Sequence, residues 1–143
     1  MIRIERDLKE LAKEFILEDD IEQENIQLLV SDILKFCKID KRGYVVITEK
    51  KLKTQDKIML ILSARYLASK LQEKINSEIT IDEKVSNKEL VDMLKEKDMI
   101  IGARLRDLRE GRVVEQISRG VHRVCAHAIE GFLGKLEEGK NGK

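Results

Sequence analysis

The chain contains no proline and no tryptophan, and only two tyrosines and three phenylalanines among its 143 residues. Without proline, helix ends have to come from side-chain caps and glycine. With so few aromatics, the core must be assembled from Leu, Ile and Val, which suits helices with modest sheet. Cysteine is scarce too. Cys37 and Cys125 lie far apart and lack Cys-x-x-Cys spacing, so neither a zinc site nor a redox motif is implied. Two thiols in a core suit a reducing cytoplasm, although a long-range disulfide stays open at this level. No stretch approaches 18 apolar residues, so no membrane span is expected. The start, MIRIERDLKE, is charged and amphipathic, so no signal peptide is expected and a cytoplasmic chain is. Catalytic signatures are also missing: no GxSxG, no Walker loop, no HExxH, and no paired carboxylates flanked by histidine. Asp19-Asp20 and Glu137-Glu138 read as helix caps and solvated ends. The chain is therefore not expected to be an enzyme, and no catalytic residue or cofactor is assigned.

Charge and apolar patterning are what the sequence has in quantity. Hydrophobic residues reach 42%, too many for a disordered chain, and charged residues 38%, so the surface is heavily ionised. The net charge of +1 hides an uneven distribution. Residues 1–32 carry four basic and ten acidic side chains, whereas residues 84–127 carry ten basic and seven acidic. An acidic front is joined to a mildly basic back. Lys- and Glu-rich composition is also common in proteins from hot environments.

Periodicity predicts an amphipathic helix over 2–17, with Ile4, Leu8, Leu11 and Phe15 on one stripe. A second helix is expected over 21–37, with Ile26, Leu29, Val30, Ile33, Leu34 and Cys37 on one face. The two form a candidate helical hairpin. Residues 43–48, GYVVIT, read as a short strand, and Lys50, Lys51 and Lys53 as a solvated link. Thr54 is the expected N-cap of the strongest helix, running to residue 75 and apolar nearly all round, hence central. Residues 77–85 alternate enough for a short strand. Ser86-Asn87-Lys88-Glu89 is a capping box that opens a helix with Leu90, Val91 and Leu94 inside. Residues 99–110 form the next helix, with Ile101, Leu105 and Leu108 inward and Gly111 as a left-handed stop. Strands are expected at 112–117 and 121–125, turning at Ser118-Arg119-Gly120. A last helix covers 126–136, with a frayed tail at 139–143.

The segments SNKELVDML, KEKDM, IIGARLRDLRE and VVEQISRGVHRV, in that order, resemble the winged helix-turn-helix superfamily over about residues 54–137. The pattern is similar to that of many archaeal and bacterial transcription regulators. The resemblance implies a mostly α fold with a small β wing. An N-terminal helical hairpin and short strand (1–50) would precede the winged helix-turn-helix (51–138). It further implies a homodimer that binds double-stranded DNA, each protomer reading a half-site. The helix at 99–110 would enter the major groove. At 100° per residue, Gly102, Ala103, Arg106, Asp107, Arg109 and Glu110 fall outward, with Arg104 at the flank. Gly102 and Ala103 leave room for close approach, Arg106 is the first candidate for a base or phosphate, and Lys97 would sit beside a phosphate. Arg119 is similar to the wing residue that enters the adjacent minor groove in this superfamily, with Arg112 and Arg123 flanking it.

Each residue also has a plainer reading. Arg104, Arg106 and Arg109 have Asp107 and Glu110 among them, and such a row can be a solvated helix face. Arg119 can be an ordinary turn residue. His122, Cys125 and His127 are close enough in sequence to raise a metal site, but a fourth ligand is missing nearby and no metal is assigned. His122 is expected on the solvent side of the wing. The alternative function is a winged-helix protein-protein interaction adaptor in a nucleic-acid-processing complex, favoured by the acids on the outward helix face. RNA binding is a weaker idea, because stacking aromatics are few.

Overall fold

A computed structural model describes the protein over residues 7–15, 23–75 and 77–141. Its elements run α1 (Leu8–Phe15), α2 (Gln23–Ile33), β1 (Cys37–Ile39), β2 (Val45–Ile47), α3 (Thr54–Lys74) and β3 (Val85–Ser86). Then come α4 (Asn87–Leu94), α5 (Asp98–Glu110), β4 (Val114–Ser118), β5 (Val121–Val124), a 3₁₀ turn (Ala126–Ala128) and α6 (Ile129–Asn141). The chain is mostly helical, with one two-stranded and one three-stranded antiparallel sheet. Among the described residues, no helix is long and apolar enough to cross a membrane.

The long helix α3 organises the rest. Every residue from Ile58 to Leu67 is buried, as a helix apolar on all sides requires. It packs against α2, both strands of the β1–β2 hairpin, α5 and β5. The core is aliphatic and continuous from Ile26 on α2 to Leu136 on α6. In the N-terminal part, α2 packs within the chain, on α3 and α6. The described part of α1 is different: Leu8 is 81% exposed and Leu11 is exposed too, so these two positions lie outside the core. Ile4 and the stretch between α1 and α2 lie outside the described residues.

Several boundaries differ from expectation. The second helix stops at Ile33, and Cys37 opens β1, paired with Ile47 of β2. The expected strand at 43–48 needed a partner, and the segment Cys37–Ile39 following Phe36 supplies it. Leu34, assigned inward, is exposed because the helix has ended by then. The N-cap of α3 is Lys53 rather than Thr54, without a side-chain cap. Of residues 77–85 only Val85 joins a strand, although Ile81 is buried. Gly111 keeps a right-handed φ of −78°, and the left-handed residue is Arg112 at 61°. Residues 139–141, expected to fray, continue α6.

Two local devices were legible. Ser86 Oγ accepts from the Glu89 amide at 3.1 Å, and the Glu89 carboxylate accepts from the Ser86 amide at 3.1 Å. Gly120 turns the β4–β5 hairpin with φ +70°. A third device was not. Arg65, 5% exposed in mid-helix, donates Nε to the Asp82 carbonyl at 2.6 Å, Nη1 to the Gly43 carbonyl at 3.1 Å and Nη2 to the Lys84 carbonyl at 2.9 Å. Gly43 sits at φ +89°, and a Cβ there would lie 3.1 Å from the guanidinium. Removing the guanidinium leaves the buried Gly43 carbonyl and the part-buried Asp82 and Lys84 carbonyls without this donor. Arg65→Met is expected to lower stability by about 3–5 kcal/mol, and Arg65→Lys to recover only part, since an ammonium lacks the planar fork. Urea unfolding measures both, and a Met variant with the wild-type midpoint would refute the role.

Candidate nucleic-acid interface

The α4–α5 pair is joined by three residues, Lys95-Glu96-Lys97. Lys95 takes the left-handed conformation (φ 56°, ψ 39°) and its amide donates to the Val91 carbonyl, closing α4 without glycine. Ile101, Leu105 and Leu108 are buried, and α5 packs on α3, so its opposite face is fixed outward. Ala103, Arg106, Asp107 and Glu110 are exposed on that face. A Cβ at Gly102 would meet nothing within 4 Å, so this part of the helix is open to close approach.

The arginines of α5 are mostly engaged by the chain's own acids. Arg104 Nη2 lies 3.3 Å from the Asp107 carboxylate, and Arg106 Nε lies 3.2 Å from the Glu110 carboxylate. Spacings of three and four residues make these the ordinary pairs of a helix surface, worth a few tenths of a kcal/mol each. They are easily opened by a competing phosphate, but they leave the outer face alternating in sign. Lys97, the N-cap of α5, is exposed and has no ion pair among the described residues.

Arg109 corrects the outward assignment. Its Nη1 lies 2.8 Å from His122 Nε2 on β5, so it turns back from solvent toward the sheet. His122, expected on the solvent side, is 2% exposed. In the sheet order β3-β5-β4, β5 is the central strand, and His122 stands opposite both Val85 and Gln116. A guanidinium can only donate, so Nε2 accepts and the ring is neutral, with its proton on Nδ1. Burial first, and the Arg109 charge second, hold the His122 pKa below its ordinary value of 6.5.

The hairpin after α5 carries the remaining cations. Arg119 is exposed at the turn and has no ion pair among the described residues. Arg123 stands directly across from Glu115, with Nη2 3.0 Å from its carboxylate and Nη1 3.9 Å from Glu83. Arg112 is exposed at the start of the hairpin. The hairpin is short: Val121 already pairs with Ser86, and the Asn87 amide donates to the Gly120 carbonyl at 2.9 Å. Its turn is therefore level with the start of α4 and does not project beyond β3.

Sequence reasoning placed Met99 at the start of α5 without a role. It is 84% exposed, with Ile100 exposed beside it, so the first turn of α5 presents an apolar tip. The signal was there, since Met99 and Ile100 fall outside the Ile101, Leu105, Leu108 spacing. No group of three or more His, Cys, Asp or Glu among the described residues is arranged to hold a metal ion. Cys37 and Cys125 are not joined in a disulfide, and burial pushes the Cys37 pKa up to about 12, which makes it a core residue rather than a nucleophile. Comparisons with protein-family models, with curated proteins and with solved structures find no match to the chain.

The Arg109–His122 pair predicts a pH dependence. The folded-state pKa of His122 lies below that of the unfolded chain. Its contribution to stability is thus complete above the ordinary histidine range and is lost as pH falls through the folded-state value. The urea midpoint should fall from about pH 7.5 to about pH 5, and His122→Gln should flatten that fall. Parallel profiles for wild type and variant would show that the ring does not titrate in this way.

Proposed function

We propose that the chain is a winged helix-turn-helix protein that binds duplex DNA, in the manner of a transcription regulator, with α5 lying in the major groove. The observation that carries this reading is the order α3-β3-α4-α5-β4-β5, with a three-residue connection between α4 and α5 and the sheet arranged β3-β5-β4. Two helices joined by so short a turn, the second with a buried stripe and an open opposite face, match the geometry by which a helix is presented to a groove. Gly102 and Ala103 leave that face flat where it must approach the bases, and Arg106 and Arg104 can exchange their carboxylate partners for phosphates. Lys97 stands at the helix start.

In this reading Arg119 addresses the phosphate backbone rather than a minor groove, because the hairpin ends level with α4. Arg109 supports the helix from behind, and Arg123 braces the hairpin. Binding is salt-sensitive and dimer-dependent, since one protomer offers few uncommitted cations on α5. The exposed Leu8 and Leu11 of α1 supply apolar positions for a second copy. A cytoplasmic setting keeps the two thiols reduced.

One observation favours a second reading, that of a protein-interaction adaptor. The apolar tip at Met99 and Ile100 and the alternating charges beside it are a face that a protein partner can cover.

Fluorescence anisotropy with random-sequence duplex DNA at about 50 and about 200 mM salt tests the first reading. Gly102→Glu together with Ala103→Glu should weaken binding at least about tenfold by placing carboxylates against phosphate. Both positions are open and glutamate is the better helix former, so melting should hold or rise. Equal affinity of wild type and variant would remove α5 from the interface. Absence of duplex binding at the lower salt would leave the adaptor reading.

A further inference from the structure

The densest positive charge of this chain is not on α5. Residues 33–75 carry eleven basic and four acidic side chains, a net of +7. Part of this excess gathers where the β2–α3 link divides two clefts. Lys50 and Lys57 border one cleft of about 360 Å³, which also reaches Tyr44, Met93 and Leu94. Lys51, Lys53 and Lys135 border the other, of about 500 Å³. Glu49 lines both, so the two are contiguous across the link. The acids lining the two clefts are Glu49 and Asp56, against five lysines. None of the five has an ion pair among the described residues, and Lys50, Lys51, Lys53 and Lys135 are exposed. The contrast with α5 is direct, because Arg104 and Arg106 are neutralised by acids one helical turn away.

The ridge also joins the candidate interface. Leu94 in the first cleft is the last residue of α4, and the exposed Lys95 and Lys97 follow it into the first turn of α5. Cations thus border both clefts, from Lys135 and Lys53 to Lys50 and Lys57, and two more, Lys95 and Lys97, follow Leu94 along the chain. Lysines with flexible stems and no fixed partner suit phosphates followed along a backbone, whereas reading base edges needs positioned, planar donors.

We propose that the lysines of the β2–α3 link, Lys50, Lys51 and Lys53, with Lys57 of α3 and Lys135 of α6, form a second phosphate-binding surface that holds the backbone of the same duplex flanking the site occupied by α5. Affinity then comes mainly from this ridge and selectivity from α5. The inference rests on the duplex-binding reading for its partner, and its test separates the two.

The experiment compares three full-length proteins on one random-sequence duplex by anisotropy across a salt titration. They are the wild type, a ridge variant (Lys50→Gln, Lys51→Gln, Lys53→Gln, Lys135→Gln) and the α5 variant Gly102→Glu/Ala103→Glu. The four lysines are exposed, so the ridge variant should melt as wild type does. It is expected to bind at least about tenfold more weakly at about 50 mM salt, with the slope of log K against log salt flattened by about three units. A ridge variant with wild-type affinity and slope, beside a weakened α5 variant, overturns the ridge and keeps the α5 reading. A weakened ridge variant beside an unchanged α5 variant supports the ridge and sets aside the α5 reading. Absence of wild-type binding overturns both.

Discussion

One buried guanidinium ties together the parts on which the interface depends. Arg65 lies in the middle of α3 and reaches three carbonyls: Gly43 in the β1–β2 turn, and Asp82 and Lys84 in the segment leading to α4. Its Nη1 also lies 3.6 Å from the Glu89 carboxylate, which completes the cap of α4. A charge held at 5% exposure is stable only when its donors are used, and the buried Gly43 carbonyl needs a donor in turn. The arrangement fixes the starting point of α4 relative to α3. From there the three-residue connection sets α5, and β3 sets the hairpin beside it.

The face of α5 follows from this placement, and its chemistry is a balance of small terms. Its inner side is aliphatic and buried, so its direction is strongly fixed. Its outer side holds two ion pairs that contribute little to folding. Arg109 is drawn inward by His122, where an accepting ring nitrogen in the central strand gives it a better partner than solvent. Two helical turns therefore divide their three arginines between supporting the fold and facing outward. The lysines around the β2–α3 link carry no such commitment, which is why positive charge available to a ligand is concentrated there rather than on the helix.

The elements with a strong local signal were legible. The capping box at Ser86, the all-round apolar helix over 54–74, the Ile101, Leu105, Leu108 stripe and the turn at Gly120 are found where spacing and turn chemistry put them. Less was legible where partners decide. Cys37 read as the end of a helix because Ile33 and Cys37 share a helical face, yet pairing with Ile47 draws it into a strand. Gly111 had the residue type for a left-handed stop, but Arg112 took the conformation. Of the candidate interface, Lys97, Gly102, Ala103, Arg106 and Arg119 face solvent or open space. Arg104 and Arg123 are half-exposed in ion pairs, and Arg109 is turned to the sheet.

The sequence by itself determined which segments are helical, which residues of α5 are buried, and that the core is aliphatic, because periodicity and composition act locally. Only the tertiary structure decided what each polar group faces. Period 3.6 gives the angle of a side chain around its own helix and says nothing about the neighbouring strand. Arg109 and His122 are thirteen residues apart, and Arg65 is about twenty residues from each of its carbonyl partners, so their pairing exists only once α3, α5 and the sheet are packed. The contiguity of the two lysine-lined clefts arises in the same way, from α4 and α6 closing on either side of one short link.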